Sequence, residues 1–414
     1  MSTAANFDVT SWTQQSSSPI FDGAYTDSVR GGAADFYVSK DGSDAFDGLT
    51  LETAKLTLAA GIALITPDSN EVLEIEGGSI SSPDVYTGGH LIPSGCTIQA
   101  IPGTVVIRDG NGANSSVITS TGNNISLFGL VIDGAASVTN FGVKLLTCGG
   151  TNATIQQCGF EGVPTATAHH EHFWPMGMGG TGHLLEDCWL FGEGRYLINV
   201  QGASDCVIRN CIGRHDGTQV DIGEPHATFS HYNNDNIIWE NNISLDYNEP
   251  DSVQNEGGCF KMSSNSNGSN QDTQWLGNIS CFRDPATSNN RGLHFDAKTG
   301  TTVANITVTD FYAHFTDANG AGIIYTGLYT GNMTVTNYTR EDGSNDGSAT
   351  ADGLCDIDAY YVDGVKQVTS KWDTHKNLDV IWARMQAYDD AGDGRRGWTD
   401  NETRPNLENY VKGI

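Results

Sequence analysis

One stretch of the chain combines a potential base with potential cation ligands. Residues 248–262 have the sequence NEPDSVQNEGGCFKM, in which Asp251 and Glu256 precede Lys261, and Asp246 lies two residues before the stretch. A neutral lysine amine can remove a proton from carbon, and carboxylate oxygens are the ligands that Ca²⁺ prefers. Without a bound cation, these carboxylates would hold the lysine protonated. Lys261 could therefore act as a base only when Ca²⁺ is bound to these carboxylates.

Short strand-like segments around Lys261 are predicted to bring further polar side chains to the same surface. RYLINVQG, HATFSHYN, GGCFKMSS and GLHFDAKT begin at residues 195, 226, 257 and 292 and align with one another. Side chains alternate between the two faces of a strand, which predicts an inward and an outward set. The inward set is Ile198, Phe229, Phe260 and Phe295 (or Leu293). The outward set is Asn199, Ser230, Lys261, and His294 or Asp296.

Other candidates lie on or beside this predicted surface. Arg214 and His294 are further catalytic candidates beside this surface. Residues with hydrogen-bonding or aromatic side chains could contact a ligand there. They are Asn199, Ser230, Tyr232, Trp174 and Asp296. The clustered histidines of AHHEHFW, residues 168–174, lack the helical spacing of a zinc motif and are expected to form an exposed loop.

The strand-like segments that would position these candidate residues repeat along the chain. A large apolar residue recurs three places before a cysteine or an asparagine. The pairs are Ile155 with Cys158, Leu185 with Cys188, Ile208 with Cys211, Trp239 with Asn242, and Trp275 with Asn278. The second members are 30, 23, 31 and 36 residues apart, so one structural place recurs in units whose loops differ in length. Such a repeat predicts a solenoid with parallel-stacked rungs over about 95–345, in which Cys158, Cys188 and Cys211 share one ladder without disulfide bonds.

Asparagines in N-x-S/T sequences recur at the same places in the repeat. Their periodicity indicates turns and stacked ladders, because asparagine tolerates left-handed backbone and bonds to neighbouring chain. We therefore do not interpret them as glycosylation sites. They are Asn124, Asn152, Asn242, Asn278, Asn305 and Asn332.

Residues 35–345, through these repeats, resemble the right-handed parallel β-helix proteins of the pectate-lyase-like superfamily. The resemblance implies an all-β solenoid with an N-terminal capping helix, expected here from Thr50 to about Ile65. The chain is thus expected to have three parts, of which residues 1–34 are an irregular N-terminal segment. Residues 346–414 form a C-terminal extension expected to pack on the flank of the solenoid or on a neighbouring subunit. Its helical stripe is Leu378, Ile381, Met385 and Tyr388.

The same resemblance implies roles for residues near Lys261. In certain β-helix pectate lyases, acidic Ca²⁺ ligands precede a catalytic lysine. Carried over to this chain, Lys261 is the base and Asp251 and Glu256 are ligands, with Asp246 as a third. This chain has Gly257 where the family has an aspartate before the Gly-Phe segment, so the calcium site departs from the family's pattern. In the alternative interpretation, Lys261 is a solvated outward residue.

The amino-acid composition restricts the classes of molecule that the protein is expected to bind. The 414 residues include 50 acidic and 21 basic ones, giving a net charge of −29. This argues against nucleic acid as a partner and indicates a solvated acidic surface or cation binding. The N-terminus has neither a basic n-region nor an apolar h-region, and no apolar run reaches membrane-spanning length, so neither a secretory signal nor a membrane partner is expected. The nine cysteines are expected to be mostly free and buried.

Two classes of function remain open from sequence. The favoured one is a protein of the virion surface, tailspike-like or decorating, that binds a polysaccharide or host-surface glycan and assembles as a homo-oligomer, typically a trimer. It accounts for the incomplete ligand motif, the acidic surface and the lack of a signal, since lysis releases virus particles. The alternative is an extracellular Ca²⁺-dependent polysaccharide lyase acting by β-elimination on an acidic glycan, which accounts better for the Lys261 segment. An inert scaffold is a third option.

Overall fold

The computed structural model describes most of the region in which the repeats were found. The described residues are 33–78, 83–100, 105–108, 116–134, 144–162, 174–192, 195–215, 227–245, 258–264, 268–281, 291–297, 302–314, 321–327, 333–340, 355–359, 361–362 and 365–366. The predicted C-terminal helical stripe and Asn332 lie outside them. Among the described residues, no helix has the length and apolar character needed to cross a membrane.

The strands fall into three groups that the chain visits in turn. Sheet 1 contains β1 Phe36–Val38, β2 Val72–Ile75, β5 Thr97–Ala100, β8 Ser126–Phe128, β11 Thr154–Gln156, β14 Leu184–Glu186, the second half of β16 Tyr196–Arg209, β19 Asp235–Glu240, β22 Ser269–Gln271, β23 Gln274–Leu276, β26 Thr302–Ala304, β27 Ile306–Thr309, β30 Met333–Arg340 and β31 Cys355–Ala359. Sheet 2 contains β3 Asp84–Thr87, β6 Val105–Arg108, β9 Leu130–Asp133, β12 Gly159–Gly162, β15 Trp189–Gly192, β17 Ile212–His215, β20 Ile243–Leu245, β24 Ile279–Cys281, β28 Tyr312–His314 and the end of β30, which pairs with β28. Sheet 3 contains β4 His90–Leu91, β7 Ile118–Ser120, β10 Lys144–Cys148, β13 Trp174–Thr181, the first half of β16, β18 Ala227–Tyr232, β21 Gly258–Ser263, β25 Arg291–Ala297 and β29 Ala321–Gly327.

Each strand pairs with its counterpart one rung away. The described pairings among β1–β31 are all parallel, and β32 Tyr361–Val362 and β33 Val365–Lys366 form a short antiparallel hairpin. In sheet 1, for example, Leu185 pairs with Ile155 on one side and Ile208 on the other. The protein is therefore a right-handed parallel β-helix, as the repeat predicted. Strand β31 continues the stacking onto β30.

The described corners from sheet 1 to sheet 2 and from sheet 3 to sheet 1 have the same backbone geometry in successive rungs. Left-handed residues at these corners let the chain turn without a long loop, which asparagine, aspartate and glycine tolerate best. At the corner from sheet 1 to sheet 2 they are Gly129, Gln157, Asp187, Asn210, Asn241, Gly277 and Asp310. At the corner from sheet 3 to sheet 1 they are Asn124, Asn152, Gly182, Asp205, Asn236, Asp272 and Asn305. Of the N-x-S/T asparagines, Asn124, Asn152 and Asn305 are thus turn residues.

The interior is built from stacked ladders of like residues. Cys158, Cys188 and Cys211 are buried, free thiols at the same place in three rungs, and the Cys158 amide donates to Cys188 Sγ at 3.4 Å. Asn242 and Asn278 continue this ladder in the next two rungs. The Asn242 side chain bonds the Ile208 carbonyl oxygen at 2.9 Å and accepts from the Cys211 amide at 3.0 Å. The predicted thiol ladder is confirmed, and the asparagines satisfy the backbone at the same bend.

The N-terminal cap differs in detail from the sequence prediction. Thr50 caps a helical turn as expected, but only a 3-10 turn over Leu51–Thr53, with no continuous helix to Ile65. Helix α1 is Leu58–Ile62, with its own cap at Thr57. The separation arises because the chain is extended at Lys55, which bridges to Val38 of β1. The prediction that an apolar helix face covers the first rung holds for α1, whose Leu58 joins the core.

Candidate functional site

The outward residues predicted on sheet 3 form one column. Asn199 pairs with Ser230, Ser230 with Lys261, and Lys261 with His294, on strands β16, β18, β21 and β25. The register also resolves the choice left open on β25. Leu293 is the rung neighbour of Phe260 and Phe295 that of Met262, so both point inward and His294 is outward. We call Asn199, Ser230, Lys261 and His294 the polar column.

The polar column is buried. Lys261 is 2 % exposed, and Asn199, Ser230 and His294 are equally inaccessible. The alternative interpretation of Lys261 as a solvated residue is therefore wrong, although its outward direction on the strand is as expected. A lysine is almost never buried to this degree unless its charge is compensated.

Charged partners compensate the column. Lys261 Nζ lies 3.7 Å from Asp296 Oδ2, on the neighbouring strand one pleat further along. On that strand, Arg291 Nη1 lies 3.4 Å from His294 Nδ1. Because a guanidinium only donates, Nδ1 of His294 accepts in this contact, and the imidazole proton is placed on Nε2. Among the described residues, the site thus combines two cationic side chains, one carboxylate and an imidazole.

Two atoms of the polar column have no hydrogen-bond partner among the described residues. Within the described part of the chain, Asn199 Oδ1 and Ser230 Oγ are buried without a hydrogen-bond partner. The other end of the Asn199 amide donates to Gln201 Oε1 at 3.4 Å. A buried polar atom without a partner costs about 1–3 kcal/mol. These two atoms belong to residues in register on neighbouring strands, β16 and β18.

A second column, one pleat further along the strands, forms the accessible rim of the site. Gln201, Tyr232, Ser263 and Asp296 occupy successive rungs there. Gln201 is exposed, and Tyr232 and Asp296 are half-buried. Ser263 Oγ donates to Asp296 Oδ2 at 3.4 Å. This rim offers an aromatic ring, an amide and a carboxylate side by side, a combination suited to hydroxyl-rich ligands.

The remaining candidates are not brought together by the described residues. Trp174 lies on sheet 3 in β13, beside Lys144 of the neighbouring rung, and its side chain is not described. Arg214 lies on sheet 2, in register with Phe191 and Leu245, so its strand belongs to another face than Lys261. Asp246, Asp251 and Glu256 lie outside the described residues, as does the histidine cluster. Among the described residues, no three histidine, cysteine or acidic side chains are grouped for a metal ion.

His231 is a buried titratable residue that the sequence analysis did not single out. It points inward from β18, is fully buried, and accepts a hydrogen bond at Nδ1 from Trp239 Nε1 at 3.1 Å. Its ring stacks on Trp275 at 5.5 Å between centroids. Burial lowers the pKa of His231 to about 3. The signal was present in HATFSHYN, because an inward Phe229 places the residue two positions later inward as well.

Comparison with known proteins supports the fold. No family model and no curated protein sequence matches the chain. Among solved structures, the chain is similar to a rhamnogalacturonan lyase, with TM-score 0.51 and 13% identity over 81% of this chain and 90% of that one. It is also similar to the pectate lyase Pel9A, with TM-score 0.50 and 11% identity over 82% of this chain and 83% of that one. The resemblance to pectate-lyase-like β-helix proteins is confirmed at the level of the fold.

Proposed function

We propose that the chain is a carbohydrate-binding β-helix protein that holds a polysaccharide against the outer face of sheet 3. The observation that carries the proposal is the ion pair of buried Lys261 with Asp296, in two neighbouring columns that also hold half-buried Tyr232 and the unpartnered Asn199 and Ser230 atoms. The names of the two similar structures, a rhamnogalacturonan lyase and a pectate lyase, support a polysaccharide as the ligand class.

The geometry favours binding over elimination by Lys261. A base must be uncharged and must reach a carbon-bound proton of the substrate. Lys261 is 2 % exposed, and the carboxylate 3.7 Å away stabilises its ammonium form. In our proposal Lys261 is a fixed positive charge that positions Asp296 at the rim. Gln201, Tyr232 and Asp296 then contact the glycan through hydrogen bonds and ring stacking.

Glycan binding is tested by comparing two tyrosines. We expect Tyr232→Ala to weaken binding to the recognised polysaccharide by about tenfold or more, because a stacked ring contributes about 1.5 kcal/mol. Tyr37→Ala, at a half-buried tyrosine of the first sheet 1 rung, is the matched control and should leave affinity unchanged. Binding is measured by calorimetry across neutral and acidic polysaccharides. Equal affinities for both variants and the wild type would refute the site.

The lyase alternative can be tested directly in the same samples. Calcium-dependent elimination would use Lys261 as base and Asp246, Asp251 and Glu256 as ligands, and it would generate an unsaturated uronate that absorbs in the ultraviolet. Product that forms with Ca²⁺, disappears with chelator and is abolished by Lys261→Ala would replace binding by catalysis as the function. Its absence on pectate, alginate and host-type glycans leaves the binding proposal in place.

We further propose the virion surface as the place where this binding occurs, with three chains in the assembly. Support comes from the net charge of −29, which suits a permanently solvated surface, and from the departure at Gly257 from the lyase pattern. Light scattering on the full chain tests the assembly, where a trimeric mass is expected and a monomer at all concentrations contradicts it. The placement itself is tested by mass spectrometry of purified virus particles from the source of the sequence.

A further inference from the structure

The loop that caps the first rung exposes an unusual set of large apolar side chains. Four of the five large hydrophobic residues exposed in the described part of the chain lie within residues 46–56. They are Phe46 at 44%, Leu49 at 56%, Leu51 at 39% and Leu56 at 40% exposure. We call these four residues the cap patch. Single exposed leucines are common on protein surfaces, whereas four large apolar side chains exposed within eleven residues make this loop a candidate contact surface.

The loop is held rigidly in this exposed arrangement. The Asp44 carboxylate accepts from the Leu56 and Thr57 amides at 3.0 and 2.9 Å and from Thr57 Oγ1 at 2.9 Å. These bonds, with the backbone bond from Ser43 N to Ala54 O at 2.9 Å, fasten the two sides of the loop together. Backbone amides and the Thr57 hydroxyl lower the pKa of Asp44, so its carboxylate stays ionised as the cap.

A second set of bonds fixes the tip of the loop. Thr50 and Thr53 form a reciprocal capping box, and the Gly48 amide donates to the Thr53 carbonyl oxygen at 2.8 Å. The Lys55 ammonium bonds the carbonyl oxygens of Asp44 and Phe46. A loop fixed by so many polar contacts cannot turn its apolar side chains inward. The cap patch is therefore preformed, and covering it requires another segment.

We propose that the cap patch is the docking surface for the N-terminal segment, residues 1–32 of the same chain. This segment enters the described fold beside the patch, because Tyr37 of β1 donates its amide to the Gly48 carbonyl oxygen at 2.8 Å. Thirty-two residues can span roughly 100 Å when extended, so reach is no constraint. The segment supplies large apolar side chains at intervals. They are Phe7, Trp12, Ile20, Phe21 and Tyr25.

Tethering and charge favour this segment over a second copy of the chain. A segment joined to β1 is present at an effective concentration of about millimolar, without any association step. A second copy would bring the carboxylates of Asp47 and Glu52 up against their own counterparts, on a protein of net charge −29. The segment itself carries three aspartates and one arginine, so it approaches with little charge.

Hydrogen exchange on the full chain tests the docking. The wild type should protect amides in residues 7–25, and Leu49→Asp should lower that protection by about tenfold or more, since a charge replaces an apolar contact. Leu91→Asp is the matched control, because Leu91 is 60% exposed on β4 and lies outside the cap patch. It should leave the segment's protection unchanged. Phe46→Ser provides a second patch variant if Leu49→Asp does not fold.

Three results would overturn the proposal. The first is a wild-type segment that exchanges at the rate of an unstructured peptide. The second is protection that survives both Leu49→Asp and Phe46→Ser. The third is a concentration-dependent mass in light scattering that Leu49→Asp abolishes while segment exchange stays constant, which would assign the cap patch to a second copy.

Discussion

The interior histidine makes the stability of the β-helix sensitive to acid. His231 lies among Trp239, Trp275 and Met262 inside the solenoid, where an imidazolium would be desolvated and would lose the hydrogen bond that Nδ1 accepts from Trp239. Its pKa is about 3 in the folded protein against 6.5 for the ordinary group. Between these two values the unfolded chain binds a proton that the folded chain does not. The free energy of unfolding is therefore highest above pH 6.5 and falls as the pH drops toward 3.

The size of this effect follows from the pKa difference. At about 1.4 kcal/mol per pKa unit, the full effect is about 4–5 kcal/mol, and the part lost between pH 7 and pH 4.5 is about 2.5 kcal/mol. Carboxylates elsewhere also titrate near the lower limit, so the comparison needs a variant without the imidazole. His231→Phe keeps a ring against Trp275 but loses the Trp239 bond, which should cost about 1–3 kcal/mol at pH 7.

Urea unfolding of both proteins at several pH values isolates the histidine. The wild type should be the more stable protein at pH 7, and its advantage over His231→Phe should shrink by about 2.5 kcal/mol by pH 4.5, enough to cancel or reverse it. Carboxylates contribute equally to both proteins and drop out of the difference. If the difference in unfolding free energy stays constant from pH 7 to 4.5, His231 does not titrate between these states and the reasoning fails.

Three further changes test other parts of the structure. Asp296→Asn should lower the unfolding free energy by about 2–4 kcal/mol in urea, since it removes the carboxylate facing the buried Lys261, and a loss below 0.5 kcal/mol would contradict the pair. Asn242→Ala should lower the unfolding free energy by about 2–4 kcal/mol, because it removes two buried hydrogen bonds to the backbone. Asn124→Gly, at an exposed left-handed position, should leave the unfolding free energy nearly unchanged, and equal losses for the two variants would refute the ladder role. Burial raises the pKa of the Cys148 thiol to about 12, so a thiol reagent at pH 8 should modify it only on unfolding, and rapid native labelling would show the thiol to be accessible.

The repeat was predictable because it is encoded locally. Alternation along a strand has a period of two residues, so an inward Phe229 determines that Ser230 faces outward, without knowledge of the rest of the chain. The corner residues were also visible, since Asn241 and its equivalents are polar or glycine at a fixed distance from the apolar ladder. The number of residues between the described strands varies from rung to rung, and this leaves the phase of each strand intact.

The burial of the outer faces was not predictable from the same pattern. The alternation of residues along a strand predicts the direction of a side chain but not its exposure. Lys261 points outward and is nevertheless as buried as the core. Sheet 2 shows the same effect with apolar residues, because Trp189 and Ile212 are buried yet belong to the outward set of β15 and β17. A signal existed there. Strands such as WLFG are apolar at both alternating positions, which is typical of strands covered on two faces.

The two kinds of buried polar ladder separate structural from functional requirements. The side chains of Asn242 and Asn278 each bond an amide and a carbonyl oxygen of the preceding rung, so their polarity is fully used by the fold. Asn199 and Ser230 have buried atoms without a partner in the described residues, and for stability alone an apolar side chain would serve better at those positions. Their place in one column with buried Lys261, beside half-buried Tyr232, is consistent with the ligand that we propose for this face. For this reason we propose sheet 3 as the glycan-binding face and give the asparagine ladder a structural role.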